Sequence, residues 1–261
     1  MTKSRVSAAA EIALQTGKEL LISFNKGKNG GEMKPDRTLV THADRQADQL
    51  IQGYLQEQFP GEGILSEENS TVYPATKHAW VIDPLDGTVN YYHGLHYWGV
   101  SIAHLVDGQP QNGAIYFPVI DELYTASRGE GAHMNDRPLS MKDKPEIELF
   151  PLFVHCSRMY QRYDVRTNFK MRSLGAAAYH LCLVAKNTAI LALESTPRIW
   201  DFAAGWLIIE EAGAAVRSLG IEQPFPAQPG LDYGKKSYPV LAARSDALLT
   251  EAIEGITPLG A

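Results

Sequence analysis

Four carboxylate positions stand beside apolar runs in this chain, and their residue types suit the binding of a hard cation. Asp83 and Asp86 lie three positions apart in WVIDPLDGTVNYY, with Pro84 between them and Gly87-Thr88 after them. Asp83 closes an apolar strand candidate, and Pro84 stiffens the chain and removes a backbone donor. Asp86 can then point back to the same centre, and the carbonyl of Leu85 adds another hard oxygen. Gly87 and Thr88 offer N–H groups that a helix starting there would present to a phosphate. Glu67-Glu68, Asp44 and Asp201 supply further carboxylates. Mg2+ takes oxygen ligands, usually a few carboxylates with water and substrate phosphate. Two such cations bridged by shared carboxylates would clamp the attacking and leaving oxygens of a phosphoryl transfer.

Each residue also has a plainer explanation. DPLDGT is good turn sequence, with proline at a corner and Asp and Gly as turn formers. Glu67-Glu68 reads equally as a solvated loop pair. Asp44 suits the acid of a capping box opened by Thr41, and Asp201 suits an N-cap before FAAGW. Composition and periodicity leave these alternatives open, because neither says whether the four positions converge.

The elements that must position them can be read coarsely. Ala9, Ile12, Ala13, Leu20, Leu21 and Phe24 fall on one helical face, predicting a helix over about 6–24. NKGKNGGEMKPDRT reads as a polar loop, and Thr41 opens a helix over about 42–58, ended by Pro60-Gly61. HAWVID is a strand candidate ending at Asp83. Asp107-Gly108 signals a hairpin and Asn112-Gly113 a further turn. Pro145–Val154 and 188–194 read as strands, and 175–186 as a helix. FAAGWLIIEEAG has helical periodicity and stops at Gly213, a glycine just past the helix end, and a last helix falls near 245–254. Mixed elements with a β-rich middle predict an α+β or layered α/β architecture. A weak boundary near 140–150 divides it into intimate halves, about 1–142 and 143–261 of one domain.

The 261 residues suffice for a large core, and 44% hydrophobic with 21% charged residues is ordinary for a globular protein. A net charge of −6 without a basic run argues against nucleic acid as partner. No stretch approaches the roughly 20 apolar residues of a membrane span. Cys156 and Cys182 lack metal-ligand spacing and read as buried reduced thiols, which points to the cytoplasm.

WVIDPLDGTVNYYHGLHYWGVSIAH resembles the first signature of the inositol monophosphatase family, DPxDGTxNF followed by VSIA. IWDFAAGWLIIEEAG is similar to its second, WDxAAGxLIxxEAGG. LVTHAD, ILSEE and ASRGEGAHMNDRPL resemble three shorter motifs, and the likeness runs in order from about residue 6 to 250. The resemblance implies a five-layered αβαβα sandwich and a Mg2+-dependent phosphomonoesterase, usually homodimeric and lithium-sensitive. By motif position, Glu67, Asp83 and the Leu85 carbonyl would hold one Mg2+, and Asp83, Asp86 and Asp201 a second. A third, looser Mg2+ would sit near Glu67 and reach Asp44 through water. Thr88, backed by Glu67 or Asp44, would orient and deprotonate the attacking water, and the Gly87 and Thr88 amides would receive the phosphate. Glu194 stands at the position of the family's substrate-hydroxyl acid, and Gly175, Ala176 and Ala177 match the small residues under the inositol ring. Glu194 also reads as a strand-end ion-pair partner.

Some positions depart from the family pattern. Thr38 replaces Asp before LVT, Ser66 the glycine before the Glu pair, and His96 a proline. Asp136 and Ala214 replace glycines, and Lys34 is displaced by one position from the flexible-loop lysine of some members. His93 and His96 read as exposed loop residues, since imidazole is not a natural Mg2+ ligand. Asn90-Tyr91 after DGT suits hydrolysis of an inositol monophosphate, of the myo-inositol 1-phosphate type, by direct attack of a metal-activated water. The alternatives are a broader sugar phosphatase of fructose-1,6-bisphosphatase type, a 3′-phosphoadenosine phosphatase or a histidinol-phosphatase relative. Outside enzymes, the alternative is a protein that binds the RNA machinery.

Overall fold

The computed structural model describes residues 3–27, 30–33, 39–141 and 150–259. Ser4 caps α1 (Arg5–Asn25), which buries Ala9, Ile12, Ala13 and Leu20 as the apolar spacing requires. The next elements are β1 (Gly31–Met33), β2 (Leu39–Thr41), α2 (His42–Gln58), β3 (Gly63–Ser66), β4 (His78–Asp86) and α3 (Thr88–Tyr92). A meander follows: β5 (Gly99–Val106), β6 (Gln109–Phe117), β7 (Glu122–Ser127), β8 (Gly131–Met134) and β9 (Arg137–Leu139). The rest comprises β10 (Leu152–His155), α4 (Met159–Arg162), β11 (Tyr163–Val165), β12 (Lys170–Arg172), α5 (Ala177–Ala185), β13 (Leu191–Glu194) and α6 (Ile199–Glu211). It ends with β14 (Ala215–Ser218), β15 (Val240–Ala243), α7 (Asp246–Glu254) and β16 (Ile256–Pro258).

These elements stack as five layers. Helices α1 and α2 cover one face of a seven-stranded sheet ordered β3-β4-β5-β6-β7-β8-β9. Helices α5 and α6 fill the space between that sheet and a five-stranded one, β12-β10-β13-β15-β14. Helix α7 closes the far side against β14 and β15. The buried clusters follow these layers: Ile12, Ile51, Trp80 and Trp98 lie under α1 and α2, and Leu181, Phe202 and Ile208 lie in the middle. Phe153, Leu241 and Leu249 lie under α7. A helix packed on both sides must be apolar over most of its surface, as FAAGWLII is.

Several local expectations need correction. Gly31–Met33, expected in a loop, pairs antiparallel with Leu39–Thr41. Asn112-Gly113 makes no turn but lies inside β6, where a Cβ on Gly113 would sit 3.2 Å from the Ala204 Cα. That glycine serves the close approach of α6 to the sheet. Asp107-Gly108 does make its hairpin, both residues having positive φ. Asp201 is not an N-cap: α6 starts at Ile199, and Asp201 accepts the Arg198 N–H at 2.7 Å from the third helical position. Cys156 is only half-buried, its Sγ 3.0 Å from the Ser195 Oγ, whereas Cys182 is fully buried. Of the strand expected over Pro145–Val154, the structure shows Leu152–His155, and residues 145–149 lie outside the described residues. Lys34, Thr38 and the boundary at 142–143 lie outside the described residues.

Candidate active site

A bulge in β4 sets the site. Residues three apart on a regular strand face opposite sides of a sheet. Between Asp83, paired with Ser101, and Asp86, paired with Gly99, β4 carries one extra residue against β5. The inserted residue at Pro84-Leu85 restores the parity, so both carboxylates turn toward one side. The Leu85 N–H donates to Asp83 Oδ1 at 3.0 Å, which leaves the Leu85 carbonyl facing the Thr88 hydroxyl at 3.1 Å.

Neighbouring elements bring the other carboxylates in. Strand β3 runs parallel to β4 with Ser66 beside Ile82, and the Glu67 N–H donates to the Ile82 carbonyl at 3.3 Å. Glu67 therefore stands next to Asp83. Ser101, opposite Asp83, reaches the Trp200 carbonyl with its hydroxyl at 3.5 Å, which seats the start of α6 over the sheet. Oxygens of Glu67, Asp83 and Asp201 lie within 4.8 Å of one another. Asp86 faces the N-terminus of α5, taking the Ala177 N–H at 3.0 Å and the Ala178 N–H at 2.9 Å.

The charges of this cluster oppose one another. Burial raises the Asp83 carboxyl well above the usual range, and repulsion from Glu67, Asp86 and Asp201 adds to it. Asp201 is raised for the same reasons, with Glu67 and Asp86 its strongest charged neighbours. Asp86 is pushed up to about 7 by burial, against the lowering effect of the α5 amides. Carboxylates crowded together, all oxygen donors, fit a hard divalent cation. A cation there would replace repulsion with attraction.

Asp44 makes two contacts at once. Its Oδ2 accepts the Thr41 N–H at 2.7 Å and closes the capping box of α2. Its Oδ1 accepts the Thr88 hydroxyl at 3.0 Å. Thr88 opens α3 after Gly87, whose φ is +85° and whose added Cβ would meet the Tyr97 carbonyl at 2.8 Å. Glycine is therefore required there both for conformation and for room.

Beside the carboxylates lies a cavity of about 210 Å³. Asp86, Gly175, Ala176, Ala177, Glu194 and Asp201 all line it, so the expected substrate-side residues do come together. The Ala177 amide, however, is committed to Asp86. Asn90 holds the Gly175 turn by donating its amide to the Leu174 and Tyr97 carbonyls. Glu194 is buried at the end of β13, and the partner it finds there is His180, whose Nδ1 lies 2.5 Å from its Oε1. The Leu174 N–H donates to His180 Nε2 at 3.0 Å, so the ring proton sits on Nδ1 and points at Glu194. His180 and Arg158, which also line this cavity, escaped the sequence reading. Nothing local in YHLCLV ties His180 to a glutamate on another element. His93 and His96 are exposed, as expected.

A model of the inositol monophosphatase family matches residues 2–257. The chain belongs to the inositol monophosphatase family. Inositol-1-monophosphatase of Mesorhizobium japonicum is 35% identical over 82% of this chain and 85% of its own length. Histidinol-phosphatase of Chlorobaculum parvum is 36% identical over 78% of this chain and 82% of its own. Among solved structures, the inositol monophosphatase from Anabaena (Nostoc) sp. PCC 7120 has a TM-score of 0.75 at 28% identity, covering 97% of this chain and 96% of that one. The fold is that of inositol monophosphatases, the five-layered sandwich the signatures imply. Membership in this phosphatase family supports phosphomonoester hydrolysis, and the carboxylate cluster suits the metal such enzymes use.

Proposed function

We propose that this protein is a Mg2+-dependent phosphatase that hydrolyses a phosphate monoester of inositol, of the myo-inositol 1-phosphate type. The observation that carries the reading is the meeting of Glu67, Asp83 and Asp201 oxygens beside the Thr88–Asp44 pair. Glu67, Asp83 and the Leu85 carbonyl would hold one Mg2+; Asp83, Asp86 and Asp201 a second; and Glu67 with Asp44 a looser third. Bound Mg2+ supplies charge neutralisation for the phosphate and makes water a nucleophile near neutral pH.

The chain's own residues supply the rest. Thr88 donates its hydroxyl proton to Asp44, so its oxygen lone pairs are turned to accept from the attacking water. The first turn of a helix leaves N–H groups without helical partners, and those of Gly87 and Thr88 receive the phosphate oxygens. Glu194, held through Oε1 by His180, uses its other oxygen to accept from a ring hydroxyl. The small Gly175-Ala176-Ala177 turn leaves room for the ring.

A second reading is a histidinol-phosphatase activity. The relative of that name and the acidic lining of the cavity support it, because the Glu194 carboxylate would equally take an ammonium group. A role in the RNA machinery is weaker, since the net charge is −6. We place the protein in the cytoplasm, supported by its two free cysteines. Among the described residues no helix is long and apolar enough to cross a membrane. A homodimer is supported by the exposed apolar side chains Val89, Tyr92, Leu95 and Tyr97 around α3, and lithium sensitivity by family membership.

Phosphate release from a panel of inositol, sugar, histidinol and nucleotide monoesters, with Mg2+ and with EDTA, tests this directly. Myo-inositol 1-phosphate is turned over fastest, EDTA abolishes release, and Mg2+ restores it. Asp86→Asn keeps the fold and lowers kcat/KM by at least about 100-fold, because even outer-shell partners of a metal contribute 10–100-fold. Full activity of that variant refutes the metal assignment, and preference for another ester refutes the inositol assignment alone.

A further inference from the structure

A second group of ligand-type side chains lies away from the carboxylate site, at the opposite end of β4. Glu62 immediately precedes β3, His78 is the first residue of β4, and His104 lies near the end of β5. One donor atom from each lies within 4.8 Å of the other two. The His78 Nδ1 and His104 Nε2 stand 3.3 Å apart, and the His104 Nε2 stands 3.7 Å from Glu62 Oε2. Donors bound at about 2.0–2.1 Å to one tetrahedral ion stand roughly 3.4 Å apart. Two of the three separations thus lie close to the spacing of tetrahedron corners, and the third stays within 4.8 Å.

The surroundings prepare each donor. His104 is buried, and its ring packs against Trp80 with the ring centres 4.9 Å apart. Asn112 Nδ2 lies 3.2 Å from His104 Nδ1, and Ser127 donates its hydroxyl to Asn112 Oδ1 at 3.2 Å. Rotation of that amide by half a turn offers Oδ1 to a protonated Nδ1, with Ser127 accepting from Nδ2. That is the outer-shell acceptor a metal-bound imidazole uses. Arg5 occupies Glu62 Oε1, and Trp80 Nε1 donates to Oε2 at 2.8 Å, leaving Oε2 its second lone pair. His78 is only half-buried, which gives an ion a path from solvent.

We propose that Glu62, His78 and His104 form a binding site for a borderline divalent transition-metal ion, Zn2+ first among them, separate from the Mg2+ site. Two imidazoles and one carboxylate select Zn2+, Co2+ or Ni2+ over Mg2+, which prefers oxygen. The ion ties the edges of β3, β4 and β5 together, next to the Arg5 contact that anchors the start of α1. Its role is structural, and it stabilises the folded chain by mass action.

The test is titration of the full-length protein with Zn2+, and separately Co2+, in saturating Mg2+ so that the oxygen site is filled. One equivalent binds, Co2+ shows the visible absorption of a tetrahedral nitrogen-containing site, and Zn2+ raises the Tm. His78→Gln, a change at a half-exposed position, weakens binding by at least about 100-fold and removes the Tm rise, while Mg2+-dependent phosphatase activity stays. Asp86→Asn retains the Zn2+ response. No binding by the wild type, an octahedral Co2+ spectrum, or equal binding by His78→Gln overturns the proposal. None of these outcomes depends on which ester the enzyme hydrolyses.

Discussion

At the residue scale, the site shows how one carboxylate serves two ends. Asp44 caps α2 through one oxygen and holds Thr88 through the other, so the capping reading and the proposed catalytic one share one side chain. Burial raises its carboxyl, and hydrogen bonds from Thr41 and Thr88 oppose that rise. The His180–Glu194 pair is a different device. His180, whose Nε2 accepts the Leu174 N–H, turns its Nδ1 to Glu194 and fixes the direction of that carboxylate inside the cavity. His180→Phe therefore raises KM for a hydroxyl-rich substrate about tenfold, the loss of a hydrogen bond to a charged group, with kcat little changed. Hydrolysis of p-nitrophenyl phosphate, which has no ring hydroxyls, serves as the control. Equal damage to both substrates makes His180 a packing residue and nothing more.

At the element scale, the β4 bulge and the α3 start do the positioning. Without the extra residue at Pro84-Leu85, Asp83 and Asp86 would face opposite sides of the sheet. Gly87 then turns the chain into α3 under the Tyr97 carbonyl. Gly87→Ala forces both an unfavourable φ and a collision at 2.8 Å, a cost of roughly 1–3 kcal/mol. Its Tm falls by several degrees, and its activity drops further than the stability loss explains, because Thr88 moves with the turn. Differential scanning calorimetry beside steady-state kinetics checks this, and an unchanged Tm contradicts it.

At the scale of the whole molecule, five layers concentrate negative charge at one place, where the starts of α2, α3, α5 and α6 meet the bulged strand. The folded pKa values of Asp83, Asp86 and Asp201 lie above the unfolded carboxyl value, chiefly through burial, with Asp86 at about 7. Such groups bind protons better in the folded state, so their contribution is fully present below the unfolded pKa of about 4 and lost as pH rises through the folded pKa. The metal-free protein therefore loses stability relative to the Mg2+-loaded protein as pH rises from about 4 to about 7. Thermal unfolding with EDTA and with Mg2+ across that range shows the gap between the two Tm values widening; a constant gap contradicts the electrostatic account.

What the sequence by itself determined is contiguous. The capping box Thr41–Asp44, the helix over 42–58, the apolar run into Asp83 and the loop through Gly87-Thr88 each depend on residues within a few positions of one another. The motif order also told the family and, through it, the layered fold. The tertiary structure decided what depends on register and on contact between distant segments. Whether Glu67 and Asp201 reach Asp83 follows from strand pairing and from the seat of α6. Gly113 looked like a turn because its neighbour is asparagine, yet a helix from the second half of the chain accounts for it. His180 meets Glu194, and Glu62 meets His78 and His104, only because sheet and helix packing close those gaps. Local propensity acts over a turn or two of chain, whereas a site forms where burial brings polar groups together and makes each satisfy the other.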